Sequence, residues 1–581
     1  MVAYMEYLRI FWDWFLGVSG YYTLAARWIF PLLAAVIFSR CVLPLSQVKK
    51  RKTVWGYLDI EDGSRMPLYH WENSIGRSKL SDVVINLVFA SRNHAVLMYR
   101  NGTWMIADMG SKSGVAVNGV KVEKSGVVKY GDEISLAGLK MVLVPPDAEA
   151  PGTWRENVNS ADSSAGYNIK SGVTLILILI FQILAGIQLC VSMGSGIDPA
   201  SPLTFALFIL AECLLILIMR LRGRKRCELE LLCCFLCGLN LAVVASASPG
   251  SLYKQLISIV AGMAVYVAFG LLIRDFGRAR ILKYVLAAGA LVLLVLNLAF
   301  GETRFGAKNW INLGFITFQP LEFVKVAFVI AGTATLDRLL TTRNMTAFIG
   351  FSGACILALV LIRDFGTAVV FFGTFIVIAF MRSGDVRTIA LISSGAVIGA
   401  VAAVSFMPYI ASRFASWGHA WEYANSSGYQ QTRTMIAVAS GGLFGVGGGN
   451  GYLDNVAAAD TDLVFGMLCE EWGLLVALMA IFIIVFFAIY AVLLTKNCRS
   501  AFYAIAACGA ASIFLVQTGL NVFGSLDMLP LTGVTIPFIS NGGSSMIASW
   551  GLLAFIKSAD DSVRIEPNTA VKTDTAVKKG N

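Results

Sequence analysis

The chain is 581 residues long, 57% hydrophobic and only 14% charged, with a mean hydropathy of +0.71. A string of soluble domains is excluded and an integral membrane protein expected. The net charge of +10 would suit nucleic acid, but the basic residues fall in short runs beside apolar spans, such as Lys49–Lys52 and Arg220–Arg226. That is orientation charge, not a nucleic-acid footprint. The eleven cysteines lie mostly in apolar spans. Cys234 and Cys237 form a CxxC only inside a hydrophobic run, which reads as packing, and three histidines are too few for a His-rich metal site.

Taken in chain order, the first apolar run, Tyr21 to Leu45, is long enough to cross a bilayer. It lacks a small-residue cleavage site and is followed by Lys49–Lys52, so residues 1–52 read as an anchor with its start outside and its basic stop in the cytoplasm. From 53 to 146 short alternating runs, such as Ala95–Tyr99 and Thr103–Ala107, sit between turn residues, the pattern of a small β-sandwich. Residues 147–170, rich in Ser, Ala, Asn and Gly without apolar periodicity, read as a flexible linker.

From Ser171 to about 557 the apolar runs are nearly continuous. Spans are expected near 171–193, 203–220, 229–246, 252–273, 281–300, 321–340, 346–363, 366–381, 388–407, 472–494, 500–522 and 541–557, so with the anchor there are about thirteen transmembrane helices. The basic loops at Arg220–Arg226, Arg274–Lys283, Arg338–Arg343, Arg382–Arg387 and Lys496–Arg499 share the sandwich's side, and the tail 558–581 is cytoplasmic. The long, glycine-rich, charge-bearing loops 301–320, 408–471 and 523–540 fall on the opposite face. Ionisable residues at membrane depth cost several kcal/mol and usually face a cavity or a partner.

Within the sandwich stand Gly76-Arg77-Ser78, Ser91-Arg92-Asn93-His94, Asp108 to Gly119 and Gly131-Asp132-Glu133-Ile134. In order and spacing these motifs resemble a forkhead-associated (FHA) domain. The resemblance implies that this domain binds a phosphothreonine-containing segment of a cytoplasmic partner protein, with Arg77 and Ser91 gripping the phosphate, Arg92 or Lys112 adding charge, and His94 bracing the loops. Ser113 stands where the family carries the asparagine that holds the peptide backbone, which puts affinity or selectivity in question.

Three outer motifs converge on a second family. They are Gly306-Ala-Lys308-Asn-Trp310 to Gln319-Pro-Leu-Glu322-Phe-Val-Lys325; Gly428-Tyr-Gln430-Gln-Thr-Arg433 through the glycine-rich Ser440–Gly451 to Thr461-Asp462 and Glu470-Glu471; and Leu529 to Ser545. Together with Asp364-Phe-Gly-Thr367, they resemble the SEDS proteins, which include FtsW, RodA and SpoVE, with two more spans before the motifs than is usual. The fold class implied is an all-α polytopic membrane protein with an inserted all-β FHA sandwich. The resemblance implies a multi-pass protein of the bacterial cytoplasmic membrane, in contact with membrane lipid. Its implied activity is that of a peptidoglycan glycosyltransferase polymerising lipid II for cell-wall synthesis in division, shape or sporulation, commonly with a class B penicillin-binding protein.

That chemistry needs a carboxylate to take the acceptor's proton and cations to hold the departing pyrophosphate. Lys308, Lys325 and Arg433 are candidates for the cations; Glu322, Asp462 and Glu470 for ordering the cavity; Trp310, Gln319, Asp364 and Gln430 complete the implied substrate-binding set. A divalent cation, magnesium or manganese, is a candidate for the pyrophosphate. Glu322 and Lys325, one turn apart, would also simply neutralise one another. The family's catalytic aspartate lies in a Trp-x-Asp-Pro element, whereas this chain reads Trp421-Glu422-Tyr423-Ala424. Glu422 is therefore the candidate base. The alternatives are an inactive scaffold recruiting a penicillin-binding protein and a lipid-precursor flippase. The glycine run follows no strand, so close helix packing or approach to the lipid is favoured over nucleotide binding.

Overall fold

The computed structural model describes residues 2–46, 54–70, 72–77, 81–91, 94–100, 103–123, 125–146, 171–193, 200–222, 224, 226–274, 276–304, 307–312, 314, 317–333, 342–383, 386–406, 414, 416–495, 498 and 501–561. The basic stop at 49–52, Arg92, the linker 147–170, most of the basic loop 338–343 and the tail beyond 561 lie outside the described residues.

Helix α1 runs from Val2 to Ser46, longer than the expected span; its membrane-length apolar part is Gly20–Ser46. Eleven strands follow: β1 Gly56–Ile60, β2 Arg65–Leu68, β3 Glu72–Gly76, β4 Val83–Val84, β5 Ala95–Arg100, β6 Thr103–Asp108, β7 Val115–Val117, β8 Val120–Lys121, β9 Ser125–Val128, β10 Glu133–Leu136 and β11 Leu139–Val144. They form two sheets, ordered β2-β1-β11-β10-β7-β8 and β4-β3-β5-β6-β9. Alternation drives the sandwich: Leu58 and Ile60 of β1, Trp104 and Ile106 of β6, and Ile134 and Leu136 of β10 all point into one shared core, as period-two side chains must. Asn118-Gly119, both with positive φ, make the tight hairpin turn that joins β7 to β8.

The helical body comprises α2 Ser171–Met193, α3 Ala200–Leu221, α4 Glu228–Ala247, α5 Leu252–Arg274, α6 Phe276–Phe300, α7 Pro320–Thr333, α8 Thr342–Ile362, α9 Phe365–Ser383, α10 Val386–Phe406, α11 Tyr429–Gly441, α12 Val464–Trp472, α13 Leu474–Thr495, α14 Ala501–Ser525 and α15 Gly543–Asp561. Eight segments among the described residues are long and apolar enough to cross a membrane, while Tyr284–Phe300, Phe348–Ile362 and Ile389–Gly399 are shorter apolar helices. The expected count of thirteen is therefore not reached by length and composition. The shortfall comes from segments such as α7, which has 14 described residues and carries Glu322 and Lys325.

Helix α4 is buried along nearly its whole length, as an all-round apolar helix must be. The 301–320 stretch, expected as a loop, contains three short strands, β12 Glu302–Arg304, β13 Ala307–Asn312 and β14 Thr317–Phe318, paired in that order.

Helices α1 and α2 form an antiparallel pair with the sandwich inserted between them. It is tied at one end by Arg40 Nε donating to Thr174 Oγ1 (3.2 Å) and at the other by Tyr22 OH donating to the Leu184 carbonyl (2.7 Å). The sandwich touches the helical body through His70, whose Nδ1 lies 2.8 Å from the carbonyl oxygen of Cys498 between α13 and α14.

Candidate functional sites

At one end of the sandwich the backbone gathers the FHA residues. The Arg77 N–H donates to the Ser91 carbonyl (3.0 Å), and Ser91 Oγ accepts the Lys112 N–H (3.2 Å). Guanidinium, hydroxyl and lysine therefore come from three loops to one place, with Arg77, Lys112 and Ser113 exposed. His94 is fully buried. Its Nδ1 accepts the Ser91 N–H (3.2 Å) and its Nε2 donates to the Gly114 carbonyl (3.0 Å). One ring thus joins the β4–β5 and β6–β7 loops, which is the bracing expected of it. Asp132 accepts from the Asn118 amide (2.9 Å) and the Lys129 N–H (2.8 Å). The first of these chiefly, then the second, holds its carboxyl below the usual carboxylate range.

On the helical body, the 416–428 segment is a succession of turns and bends pinned by the 523–540 loop. Asp527 accepts the N–H groups of Gly418 and Ala420, each at 3.1 Å, and Trp417 Nε1 donates to the Met528 carbonyl (3.1 Å). The Tyr423 carbonyl accepts N–H groups from Ser426 (2.9 Å) and Gly428 (3.0 Å). A Cβ at Gly428 would overlap the Ala420 carbonyl, so the segment closes on itself only with glycine there. Glu422 lies on this fixed segment with an exposed side chain, and Tyr423 is 42% exposed.

Following α11, the glycine run lies directly on α12. Val446 and Gly447 donate N–H bonds to the carbonyls of Glu470 (2.8 Å) and Glu471 (3.0 Å). Gly445 has φ +78°, and a Cβ there would overlap the Glu471 carbonyl. Backbone meets backbone, so the run serves close packing. The α1–α2 pair covers its outer side: the Trp28 and Phe444 rings are 4.1 Å apart, Phe30 meets Trp472 edge-on while Phe181 lies tilted against it, and Gln188 Nε2 donates to Thr23 Oγ1 (3.1 Å) beside Gly447.

The remaining sequence candidates divide sharply. Glu322 and Lys325 are buried, 6% and 2% exposed in their side chains, and paired at 2.7 Å. Glu470 caps the turn before it, its two oxygens accepting the N–H groups of Tyr452 (3.1 Å) and Leu453 (3.0 Å). Asp364 caps α9 through the Thr367 N–H (3.0 Å) and accepts from Asn309 of β13 (3.1 Å), as an N-terminal aspartate does. Lys308 donates to the Leu298 carbonyl (2.7 Å), and Trp310 is half-buried on the same strand. Gln319 donates its N–H to Ser544 Oγ (3.1 Å), and Gln430 its amide to the Ala457 carbonyl (2.9 Å). Arg433 is exposed, its guanidinium over the Tyr429 ring at 5.1 Å. The Asp462 carboxylate lies against Gly533.

Residues missed in the sequence hold the last loop in place. Asn240 of α4 donates to the carbonyls of Ile539 (2.7 Å) and Ser540 (2.9 Å) and accepts from Gln255 of α5 (2.9 Å). Asn521 donates to the carbonyls of Asp462 (3.0 Å) and Val534 (2.7 Å), and Asn541 to Asp460 (2.7 Å). For Asn240 and Asn521 an isolated amide inside an apolar run is the available signal, and Asn541 falls within the Leu529–Ser545 motif; Asp527, in a loop of mixed composition, offers none.

Comparison with known proteins places the molecule. The family model described as cell cycle protein, covering FtsW, RodA and SpoVE, matches residues 232–565, more than half the chain. The chain belongs to that family. It is also a membrane protein carrying an FHA domain, the model of which matches residues 73–137. The probable peptidoglycan glycosyltransferase FtsW of Tolumonas auensis is 32% identical over 360 residues, covering 59% of this chain and 93% of that protein. The protein of the same description from Bacillus subtilis is 29% identical over 379 residues, covering 57% and 91%. A chain of a peptidoglycan synthase complex of known structure is 25% identical with a TM-score of 0.49, covering 58% of this chain and 98% of that one.

Proposed function

We propose that this chain is a peptidoglycan glycosyltransferase that polymerises lipid II at the outer face of the bacterial cytoplasmic membrane, and that its FHA domain, on the cytoplasmic side, reads phosphothreonine on a partner protein. The names of its relatives support the reaction class. The observation that carries the assignment to this site is Glu422. Glu322, Asp364 and Glu470 are each engaged by a lysine or by N–H donors, whereas Glu422 is exposed on a segment whose backbone is fixed.

In the proposed step the acceptor hydroxyl oxygen forms a bond to the donor sugar's anomeric carbon, its proton passes to the Glu422 carboxylate, and the bond to the lipid pyrophosphate breaks. Lys308 and Arg433 meet the charge that develops on the leaving group. Lys325, buried and held by Glu322, serves the fold. Among the described residues no group of three or more His, Cys, Asp or Glu is placed to hold a metal; a magnesium or manganese ion carried by the pyrophosphate would need only one or two carboxylates of the chain.

Tyr423, at the position of the family's aspartate, supports a second reading, an inactive scaffold that recruits a class B penicillin-binding protein. Gel detection of glycan strands from purified lipid II, with the protein alone and paired with candidate class B partners, separates the two. Polymer supports the enzyme; its absence under every pairing supports the scaffold.

A further inference from the structure

Where α3 ends, a narrow cleft lies between it, α5 and α15, and none of the residues assigned to the reaction lines it. Its wall is apolar at Met219, Val267 and Gly270 and cationic at Arg222, Arg224 and Lys557. The cleft is open at Gly270, where an added Cβ would meet nothing within 4 Å. Its cations are held in place. Arg222 and Arg224 donate N–H bonds to the carbonyls of Ile218 and Met219, each at 3.1 Å, and the Arg224 guanidinium turns back to the Met219 sulfur (3.8 Å). Lys557 Nζ donates to the Arg226 carbonyl (2.9 Å) and lies 3.3 Å from Glu230 and 3.6 Å from Asp560. Those carboxylates answer the lysine, so attraction for an anion rests with the two half-buried arginines. Each guanidinium carries five N–H donors and can hold a phosphate beside a protein partner.

Both α3 and α5 are long and apolar enough to cross a membrane. At a rise of 1.5 Å per residue, Gly270 and Val267 stand about 6–10 Å inside the end of α5 at Arg274. A bilayer's polar layer is about 5–8 Å thick on each side, so cations at the helix ends with an apolar wall beneath match the order of a phospholipid, phosphate first and chains after. A free phosphate would use the arginines and leave the apolar wall idle. The cleft also opens beside the sandwich's seat: Cys498, whose carbonyl faces His70, donates its thiol to the Ala559 carbonyl (3.8 Å), one residue past Ser558 of the cleft wall.

We propose that this cleft binds one phospholipid of net negative charge, its phosphate on Arg222 and Arg224 and its chains along Met219, Val267 and Gly270. The lipid sits on a seam, since Met219 and Arg222 precede the residues that the family model matches, 232–565, while Gly270 and Lys557 lie within them. The proposal is independent of the glycosyltransferase and phosphothreonine readings.

The test titrates dioleoylphosphatidylglycerol into the full chain in a neutral detergent and counts bound lipid by native mass spectrometry, with dioleoylphosphatidylcholine and inorganic phosphate as the other probes. One phosphatidylglycerol should be held about tenfold more tightly than phosphatidylcholine. Arg222→Gln/Arg224→Gln should weaken it about thirtyfold, the worth of two arginines at a membrane surface. Gly270→Leu, which fills the cleft and leaves every charge in place, should weaken it comparably. Lys254→Gln, at the other end of α5, should leave it unchanged. Equal retention of the two lipids overturns the proposal, as does phosphatidylglycerol binding that survives the arginine pair's substitution. Loss in the arginine variant with full binding in Gly270→Leu assigns the effect to general surface charge and also overturns the cleft. Displacement of the lipid by inorganic phosphate at equal concentration makes the arginines a free-anion site and overturns the lipid reading.

Discussion

Asp527→Gly should release the segment that carries Glu422. The aspartate carboxylate accepts two backbone N–H bonds, from Gly418 and Ala420, and hydrogen bonds to a charged group contribute about 1.5–3 kcal/mol each. Because Asp527 is half-exposed, the lower figure applies, about 3 kcal/mol for the pair. Its φ of +60° is a conformation that costs an ordinary residue roughly 1 kcal/mol, which glycine recovers. The net loss is about 2 kcal/mol, a roughly thirtyfold shift toward the released segment. Asp527→Asn, which tolerates the left-handed backbone and keeps one neutral acceptor, should fall between. Hydrogen exchange followed by mass spectrometry over 416–428 reads this directly, whether or not the protein is an enzyme. Wild-type protection of that peptide in Asp527→Gly would refute the latch and show that the Trp417 bond to Met528 suffices.

Three further outcomes follow from the geometry. Glu322→Gln and Lys325→Met should each destabilise the protein by about 3–5 kcal/mol by stranding a buried charge, while the double substitution costs much less; equal melting temperatures for the singles and the wild type would dispose of the pair's structural role. Gly445→Ala should sharply reduce the yield of monodisperse protein, since both its φ and the Glu471 carbonyl oppose a side chain. Asp132 has a folded-state pKa below its unfolded one, so its stabilisation is present above the unfolded value of about 4 and is lost as pH falls through the folded value. Thermal unfolding of residues 54–146 should therefore show an acid slope that Asp132→Asn flattens, and an unchanged slope would exclude Asp132 as its source.

Much of this architecture was readable from residue pattern. Period-two runs and turn residues announced the sandwich, and the unbroken apolar runs announced the helical body, because burial on one face or all faces leaves its mark on composition. Glu322 and Lys325 were identified with both of their meanings, and only the packing around α7 shows them paired. The strands β12–β14 escaped notice since Glu302–Phe318 has no clean alternation and pairs only with itself. Asp527 was illegible for a different reason: its partners are backbone amides 107 and 109 residues away, and backbone carries no sequence signal. The role of α1 and α2 as a cover on the glycine run was hidden likewise, since an anchor helix and a packing helix look alike in an apolar string. Both helices lie outside the residues that the family model matches, 232–565, and the FHA domain sits between them.

The central claim is that a glutamate one position early supplies the carboxylate. The direct measurement is the rate of glycan polymer formation from lipid II by wild type and by Glu422→Gln, prepared and folded identically. General-base removal predicts a fall of about a hundredfold or more with hydrogen-exchange protection of 416–428 unchanged. Polymer formed by Glu422→Gln at the wild-type rate would contradict the account and remove Glu422 from the chemistry.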